Sequence, residues 1–265
     1  IQPKTGKNVI EVMQNNIDAV LAQEKETGKP MLPHINHPNF QWAITAEELM
    51  RVRGGQFFEV YNGHPTVHNR GDATHAGCDR VWDIINTWRV TKLGLPLMYG
   101  LGTDDAHHYH TIALGKSNAG RGWVMVRAKE LTTEAVIKAM KRGDFYSSSG
   151  VELVDIRVTS GEYRIAILPE KGVSYTTQFI GTKMGFDDKN EPARNKAGEK
   201  LRLTHRYSED IGAVFAEVSG LNPVYRFDGD EIYIRARIVS SRKHPNPSEE
   251  NEFATAWTQP VLKRK

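Results

Sequence analysis

The chain has 265 residues, with 35 Lys+Arg against 32 Asp+Glu, a formal net charge of +3 and a charged fraction of 25%. That balance excludes a basic nucleic-acid arm, a polybasic membrane anchor or an acidic tail as the main feature of the protein. Hydrophobic residues at 39% supply a core for one large domain or two ordinary ones, while a mean hydropathy of −0.51 and the lack of a long apolar run exclude a spanning helix.

The chain starts Ile1-Gln2-Pro3-Lys4, with no initiator Met and no charged-then-apolar leader, which reads as a processed or partial polypeptide. From Asn8 the apolar residues Ile10, Met13, Ile17 and Leu21 recur at helical spacing. Asn8 and Glu11 form a capping pair, Gly28-Lys29-Pro30 ends the helix, and a short strand is expected over 31–36. A second helix opens on the capping box Thr45-Ala46-Glu47-Glu48 and runs to about Arg53; Gly54-Gly55 then leads into an apolar strand over 57–61. The third helix runs from about Cys78 through Val81, Ile84, Ile85 and Trp88 to Gly94, followed by a strand over 95–101. Cys78, the one cysteine, cannot form an internal disulfide, argues against a thiolate metal site, and reads as a small core or helix-start residue. Three helix–strand units in series imply a parallel sheet.

Eight of the ten histidines fall between His34 and His110, where even spreading would put about three. The polar residues cluster just past each expected strand: His34, His37 and Asn39 after the first; Glu59, Asn62 and His64 at the second; Thr103-Asp104-Asp105-Ala106-His107-His108 after the third. Reactive groups of β/α folds sit at the C-terminal ends of parallel strands, so these clusters converge on one mouth. Imidazole with carboxylate suits Zn, Mn or Fe, and in Asp105-Ala106-His107 the two ligand types share a face because they are two residues apart. Taken singly, a His-Pro pair is an ordinary turn and Glu59 an ordinary solvated acid; three clusters at equivalent positions favour a metal site. His68 and His75 lie in the glycine-containing segment 62–77, where an exposed loop is the default and only His64 stands out. Arg70-Gly71-Asp72 reads as a chance triplet and no adhesion motif.

Together, Ile35-Asn36-His37-Pro38-Asn39, Phe58-Glu59-Val60-Tyr61-Asn62-Gly63, Trp82-Asp83 and Gly100-Leu101-Gly102-Thr103-Asp104-Asp105-Ala106-His107 resemble the later motifs of the PHP (polymerase and histidinol phosphatase) family of metal-dependent phosphoesterases. Gly122-Trp123-Val124-Met125-Val126-Arg127-Ala128 and Gly143-Asp144-Phe145-Tyr146-Ser147-Ser148-Ser149-Gly150 resemble the stretch that follows in a subset of that family. The resemblance covers residues 8–150 and implies the C-terminal portion, 1–150, of a distorted seven-stranded β/α barrel with two or three divalent metals at its mouth. It matches His37, Asp105 and His107 to metal ligands, leaves His34, Glu59 and Asn62 as substrate-facing or supporting candidates, and leaves His64 and Asp104 as candidates to relay a proton to the leaving oxygen. The implied reaction is hydrolysis of a phosphate mono- or diester by a metal-bound hydroxide. The family's opening His-x-His motif has no counterpart here, and three strands do not close a barrel. The remainder is expected from upstream sequence or from another chain, such as an N-terminal fragment of the same protein.

Past residue 150 the pattern changes to short runs of period-two alternation at 151–159, 163–168, 175–181, 213–218, 224–227 and 231–240, which predicts a β-sandwich over 151–265. In the longest run Ile232, Ile234, Ala236 and Ile238 face one way and Tyr233, Arg235 and Arg237 the other, after the hairpin signal Asp228-Gly229. The stretch 187–200 is a polar loop, and its Asp187, Asp188 and Glu191 read as a solvated turn. Glu231-Ile232-Tyr233-Ile234-Arg235-Ala236-Arg237-Ile238 and Ala256-Trp257-Thr258-Gln259-Pro260 resemble the immunoglobulin-like tail of some PHP-containing proteins, an arrangement often found in exported proteins. The fold class is therefore α/β plus all-β, and the expected partner is a small phosphorylated substrate, with no nucleic acid and no membrane insertion. Two rivals remain: an amidohydrolase-type metal hydrolase, disfavoured because its last strand supplies a lone Asp, and a non-catalytic β-sandwich interaction protein with a degenerate barrel.

Overall fold

The computed structural model describes residues 1–262. It is a sheet-rich α/β chain with several antiparallel sheets and few helices. Helix α1 (Val9–Thr27) begins where the Asn8 side chain accepts from Glu11 N at 3.0 Å while Glu11 Oε2 accepts from Lys7 N at 2.8 Å. It ends at Gly28, whose φ of 64° is the left-handed conformation of a C-terminal cap. The expected strand over 31–36 is reduced to a single parallel bridge, Ile35 to Phe58, because Pro30 and Pro33 bring no N–H to a ladder. Helix α2 (Ala46–Leu49) forms its capping box but lasts one turn. The carbonyls of Met50 and Val52 that follow accept hydrogen bonds from the fully buried Arg89 guanidinium at 3.1 and 2.7 Å.

Strand β1 (Phe57–Asn62) is buried throughout, and helix α3 (Cys78–Trp88) continues as a π-helical turn, Arg89–Leu93, to Gly94. Strand β2 (Tyr99–Thr103) starts later than residue 95 and pairs with β1 in parallel. Next come β3 (Trp123–Val126), α4 (Thr133–Lys141) and β4 (Phe145–Ser148), then β5 (Leu153–Val158), β6 (Glu162–Ile167) and β7 (Tyr175–Lys183). The remaining strands are β8 (Asn190–Glu191), β9 (Arg206–Tyr207), β10 (Ala213–Ser219), β11 (Val224–Arg226), β12 (Glu231–Lys243), β13 (Phe253–Thr258) and β14 (Val261–Leu262).

One antiparallel sheet runs β10-β7-β12-β13-β4-β3, with β14 also on β12; another runs β11-β6-β5. Tyr163, Ile165 and Ile167 of β6 share a core with Phe179, Ile234, Ala236, Ile238, Ala254 and Ala256 of the larger sheet, so the two sheets meet across it. The sheet is continuous across residue 150, because β4 pairs with β13 and β3 with β4. Asp228-Gly229 does not close a hairpin: β11 pairs with β6 and β12 with β7, so this turn carries the chain from one sheet to the other.

The alternation of β12 is as expected, but its second face is not in water. Tyr233 and Arg235 are buried against α3, where Asp83 Oδ1 accepts from Tyr233 OH at 2.8 Å and from Arg235 Nε at 2.8 Å, and Asp83 Oδ2 accepts from Arg235 Nη2 at 2.6 Å. The Arg235 guanidinium also lies 4.7 Å from the Trp82 ring centre. Gly212, at φ 69°, passes so close that a Cβ there would meet Asp83 Oδ2 at 2.6 Å. These contacts clamp the antiparallel sheet onto the helix that backs β1 and β2.

Candidate metal centre

The parallel strands aim their C-terminal ends at one cluster. The register of β1 against β2 slips between Glu59 and Tyr61, a bulge in which one extra residue re-aims the side chains that follow. Residues three apart on a regular strand point to opposite faces. With the bulge, Asn62 Nδ2 instead reaches Glu59 Oε2 at 2.8 Å, and both residues are buried, 1% and 4% exposed. The same amide donates to Asp105 Oδ2 at 3.2 Å, joining the end of β1 to the loop after β2. Asp105 Oδ1 lies 3.2 Å from His107 Nε2.

His37 enters from the first segment, its backbone N–H donating to Glu59 Oε2 at 2.6 Å, and His34 Nε2 lies 3.6 Å from Glu59 Oε1. His64 donates its backbone N–H to Asn62 Oδ1 at 2.8 Å, and its ring meets His107 edge-on at 5.6 Å between centres. His37 and Asp105 have φ of 22° and 48°, left-handed values that cost a non-glycine residue free energy and persist only when neighbours enforce them. Burial alone would raise the Glu59 carboxyl, but the hydrogen bonds from His34, Asn62 and the His37 N–H outweigh it and hold the group below the usual glutamate range. For His64, burial together with the imidazoles of His107, His37 and His108 lowers the ring's pKa, against the raising pull of Asp105. Six of the eight candidate residues, His34, His37, Glu59, Asn62, Asp105 and His107, are thus linked by contacts that run through Glu59 and Asn62, with His64 on the same cluster.

Asp104 is engaged differently. Its Oδ1 accepts from the backbone N–H groups of Arg121 and Gly122 at 2.6 and 2.8 Å and its Oδ2 from Gly120 at 2.9 Å. A carboxylate holding three N–H groups anchors the loop between β2 and β3. Replacing Asp104 by Ala is expected to cost about 2 kcal/mol in urea denaturation, the worth of hydrogen bonds to a charged acceptor; a loss below about 0.5 kcal/mol would contradict the anchor role.

Two further residues frame the cluster and carry no sequence signal of their own. Arg121, fully buried, donates to Gly63 O at 2.7 Å and Asn246 O at 3.0 Å, tying the end of β1 to the segment between β12 and β13. Asn69 brackets Asn62, accepting from its N–H at 3.0 Å and donating to its carbonyl at 2.8 Å. His68 and His75 stack instead on the Trp42 indole, at 4.6 and 3.9 Å between ring centres.

The separation of His107 Nε2 and Asp105 Oδ1 is close to the edge of a tetrahedron built on bonds of about 2.0–2.1 Å, roughly 3.3 Å, so this pair fits one shared ion. His37 does not complete a tight trio with them. Among the described residues, the group of three whose ligand atoms all lie within 4.8 Å of one another is Asp228, Asp230 and Glu231, in the turn between β11 and β12. That cluster already has counter-charges and donors: Lys183 Nζ sits 2.7 Å from Asp228 Oδ2 and 3.1 Å from Asp230 Oδ1, and Glu231 Oε1 accepts from Tyr225 OH at 2.7 Å.

No protein-family model matches the chain, and neither does any curated protein. Among solved structures the chain is similar to a two-domain protein from Bacteroides vulgatus containing a predicted PHP-like metal-dependent phosphoesterase. The identity is 11% and the TM-score 0.32, over 97% of this chain and 67% of that one. A likeness of that size says nothing about individual residues here.

Proposed function

We propose that the chain is part of a metal-dependent phosphoesterase of the PHP type, acting on a phosphate mono- or diester. In this reading residues 1–150 supply the C-terminal portion of the distorted barrel together with β3 and β4, which continue the sheet of an immunoglobulin-like sandwich in the rest of the chain, and another polypeptide segment completes the strands and the ligand set. The observation that supports it is the chain of contacts from the buried Glu59 and Asn62 to the half-buried Asp105 and the exposed His107, built at the C-terminal ends of parallel strands from the residue types that hold hard and borderline divalent cations.

Asp105 and His107 would hold Zn, Mn or Fe, with His37 as a further ligand. Such an ion supplies charge to a phosphate oxygen and lowers the pKa of water bound beside it. The chain's own residues do the rest. Glu59 fixes the backbone of His37 and the amide of Asn62; Asn62 fixes the carboxylate of Asp105, the kind of supporting contact that sets ligand orientation. His64, whose ring meets that of His107 at 5.6 Å between centres, would accept a proton from the attacking water and pass it to the leaving oxygen. His34, its side chain 34% exposed, faces the substrate side.

The test is calorimetric titration of the full chain with Mn²⁺ and Zn²⁺, followed by elemental analysis. Binding is expected to fall at least about tenfold in Asp105→Asn and in His107→Ala, as for loss of one ligand or its orienting partner. No stoichiometric metal in a chain whose upstream segment has been restored, or affinity unchanged in both variants of it, would overturn the assignment. Hydrolysis of bis(p-nitrophenyl) phosphate with none of a cyclic amide separates this reading from the amidohydrolase alternative.

A further inference from the structure

None of the metal-centre residues lines a cleft of about 550 Å³ that opens between the edges of the two antiparallel sheets. Its floor is β3 and β4, and one wall is β5, every residue of which from Leu153 to Val158 lines it. Side chains of a strand alternate between faces, so a lining that takes six residues in a row runs along the strand's edge. β5 is the last strand of its sheet, with β6 on one side and no strand on the other among the described residues.

The register shows which backbone groups that edge offers. Thr159 N–H donates to Glu162 O at 3.0 Å, and β5 pairs antiparallel with β6 from Asp155 opposite Ala166 to Val158 opposite Tyr163. Hydrogen-bonded pairs alternate along such a ladder, so Arg157 and Asp155 turn their N–H and C=O towards β6, and Ile156 and Val158 turn theirs to the free edge. At Ile156 side chains stand in for a strand: its N–H donates to Asp155 Oδ1 at 2.9 Å, and its carbonyl accepts from Arg127 Nη1 at 3.4 Å. The outward groups of Val158 have no partner among the described residues.

Charge adds a second requirement. Ile156 and Val158 pack their side chains against the sandwich core, so Asp155 and Arg157 share the outer face. Asp155 is paired with Arg127 at 2.7 Å. Arg157 stands opposite Arg164, which is held by Glu162 at 2.9 Å, and the Arg157 guanidinium has no partner among the described residues. Like charges directly across a ladder repel, so this edge carries an uncompensated positive charge.

We propose that the free edge of β5 takes an extended peptide of a partner protein as an added antiparallel strand, with an acidic residue opposite Arg157 and apolar residues opposite Ile156 and Val158. The peptide backbone meets the outward N–H and C=O groups, and its acid compensates Arg157. Its apolar side chains share the face of Ile156 and Val158 and enter the cleft, where Phe145 and Tyr163 lie. Ile156 becomes available when Arg127 lets go of the edge, a minor loss because Arg127 and Asp155 are 63% and 44% exposed.

The probe is the peptide acetyl-Thr-Val-Glu-Val-Thr-Val-Thr-amide, titrated calorimetrically into the full chain. One control peptide replaces Glu by Lys; the other carries N-methyl groups on the two valines that flank Glu, which removes the donors to β5 and leaves the side chains in place. The Glu peptide is expected to bind at least about tenfold more tightly than either control, the scale of a reversed cross-strand charge or of two lost backbone hydrogen bonds. Arg157→Glu, an exposed replacement, should reverse the preference to the Lys peptide, with thermal unfolding unchanged. No heat of binding at millimolar Glu peptide, equal affinity for the N-methylated peptide, or a charge preference unchanged in Arg157→Glu would overturn the proposal.

Discussion

Replacing Asp83 by Ala is expected to lower the free energy of unfolding by about 3–5 kcal/mol, the cost of stripping a partner from a buried ion pair. Arg235 is 1% exposed, and Asp83 takes two of its hydrogen bonds as well as that of the Tyr233 hydroxyl. Without Asp83 the guanidinium keeps Asp79, 2.8 Å from its Nη1, but leaves Nε and Nη2 with no carboxylate in an interior that water does not reach. Urea denaturation measures the effect, and a loss below about 1 kcal/mol would show that the pair is not the clamp described here. A double replacement, Asp83→Leu with Arg235→Met, should recover much of the loss, because removing both charges leaves nothing unpaired.

The same network sets a pH dependence. Burial would raise the Asp79 carboxyl, but Arg235, Arg237 and the Trp257 indole N–H prevail and hold it below its ordinary value. Its folded value is then lower than the unfolded one of about 3.9. The unfolded chain binds the proton more readily, so this stability is fully present above the unfolded value and lost as pH falls from there through the folded value. Asp79→Asn should flatten that part of a stability–pH curve; an unchanged acid limb would argue against the assignment.

Replacing Glu59 by Ala is expected to have the largest effect on the candidate metal centre. One oxygen of this carboxylate accepts from both the His37 N–H and the Asn62 amide. Its removal leaves those donors without their acceptor, at about 1–3 kcal/mol for a buried unsatisfied group, and frees His37 from its left-handed backbone. Asn62 then no longer fixes Asp105, and divalent-metal affinity should drop about 10–100-fold, as when a supporting contact behind a ligand is lost. Glu59→Gln, which keeps one acceptor oxygen, should lie between. Lost stability with unchanged metal affinity would show that Glu59 serves the fold alone.

Local signals along the chain were largely legible. Asn8, Gly28 and the Thr45–Glu48 box mark helix ends because capping is an interaction between near neighbours. The runs at 175–181, 213–218 and 231–240 fall on β7, β10 and β12 because period-two burial is written into adjacent residues. What was hidden depends on partners distant in sequence. Arg235 and Asp83 are 152 positions apart, so the alternation of β12 shows which residues share a face but not that Tyr233 and Arg235 pack on α3. In the candidate site, the order of His37, Glu59, Asn62, Asp105 and His107 could be read from the residue types at strand ends. The different task of Asp104 could not, because backbone N–H groups supply its partners and backbone groups carry no residue identity.

The continuity of the large sheet across residue 150 bears on how the molecule can be divided. A fragment starting after Gly150 would lose β3 and β4 and present the Ala256–Thr258 side of β13 as a bare row of unpaired donors and acceptors, a template for joining other molecules. Its complement, ending at Gly150, would strand β4 with one neighbour instead of two. Expressed separately, the pieces should aggregate; expressed together, they should reassemble along β4 and β13, and that seam is where a split version of this protein would be joined.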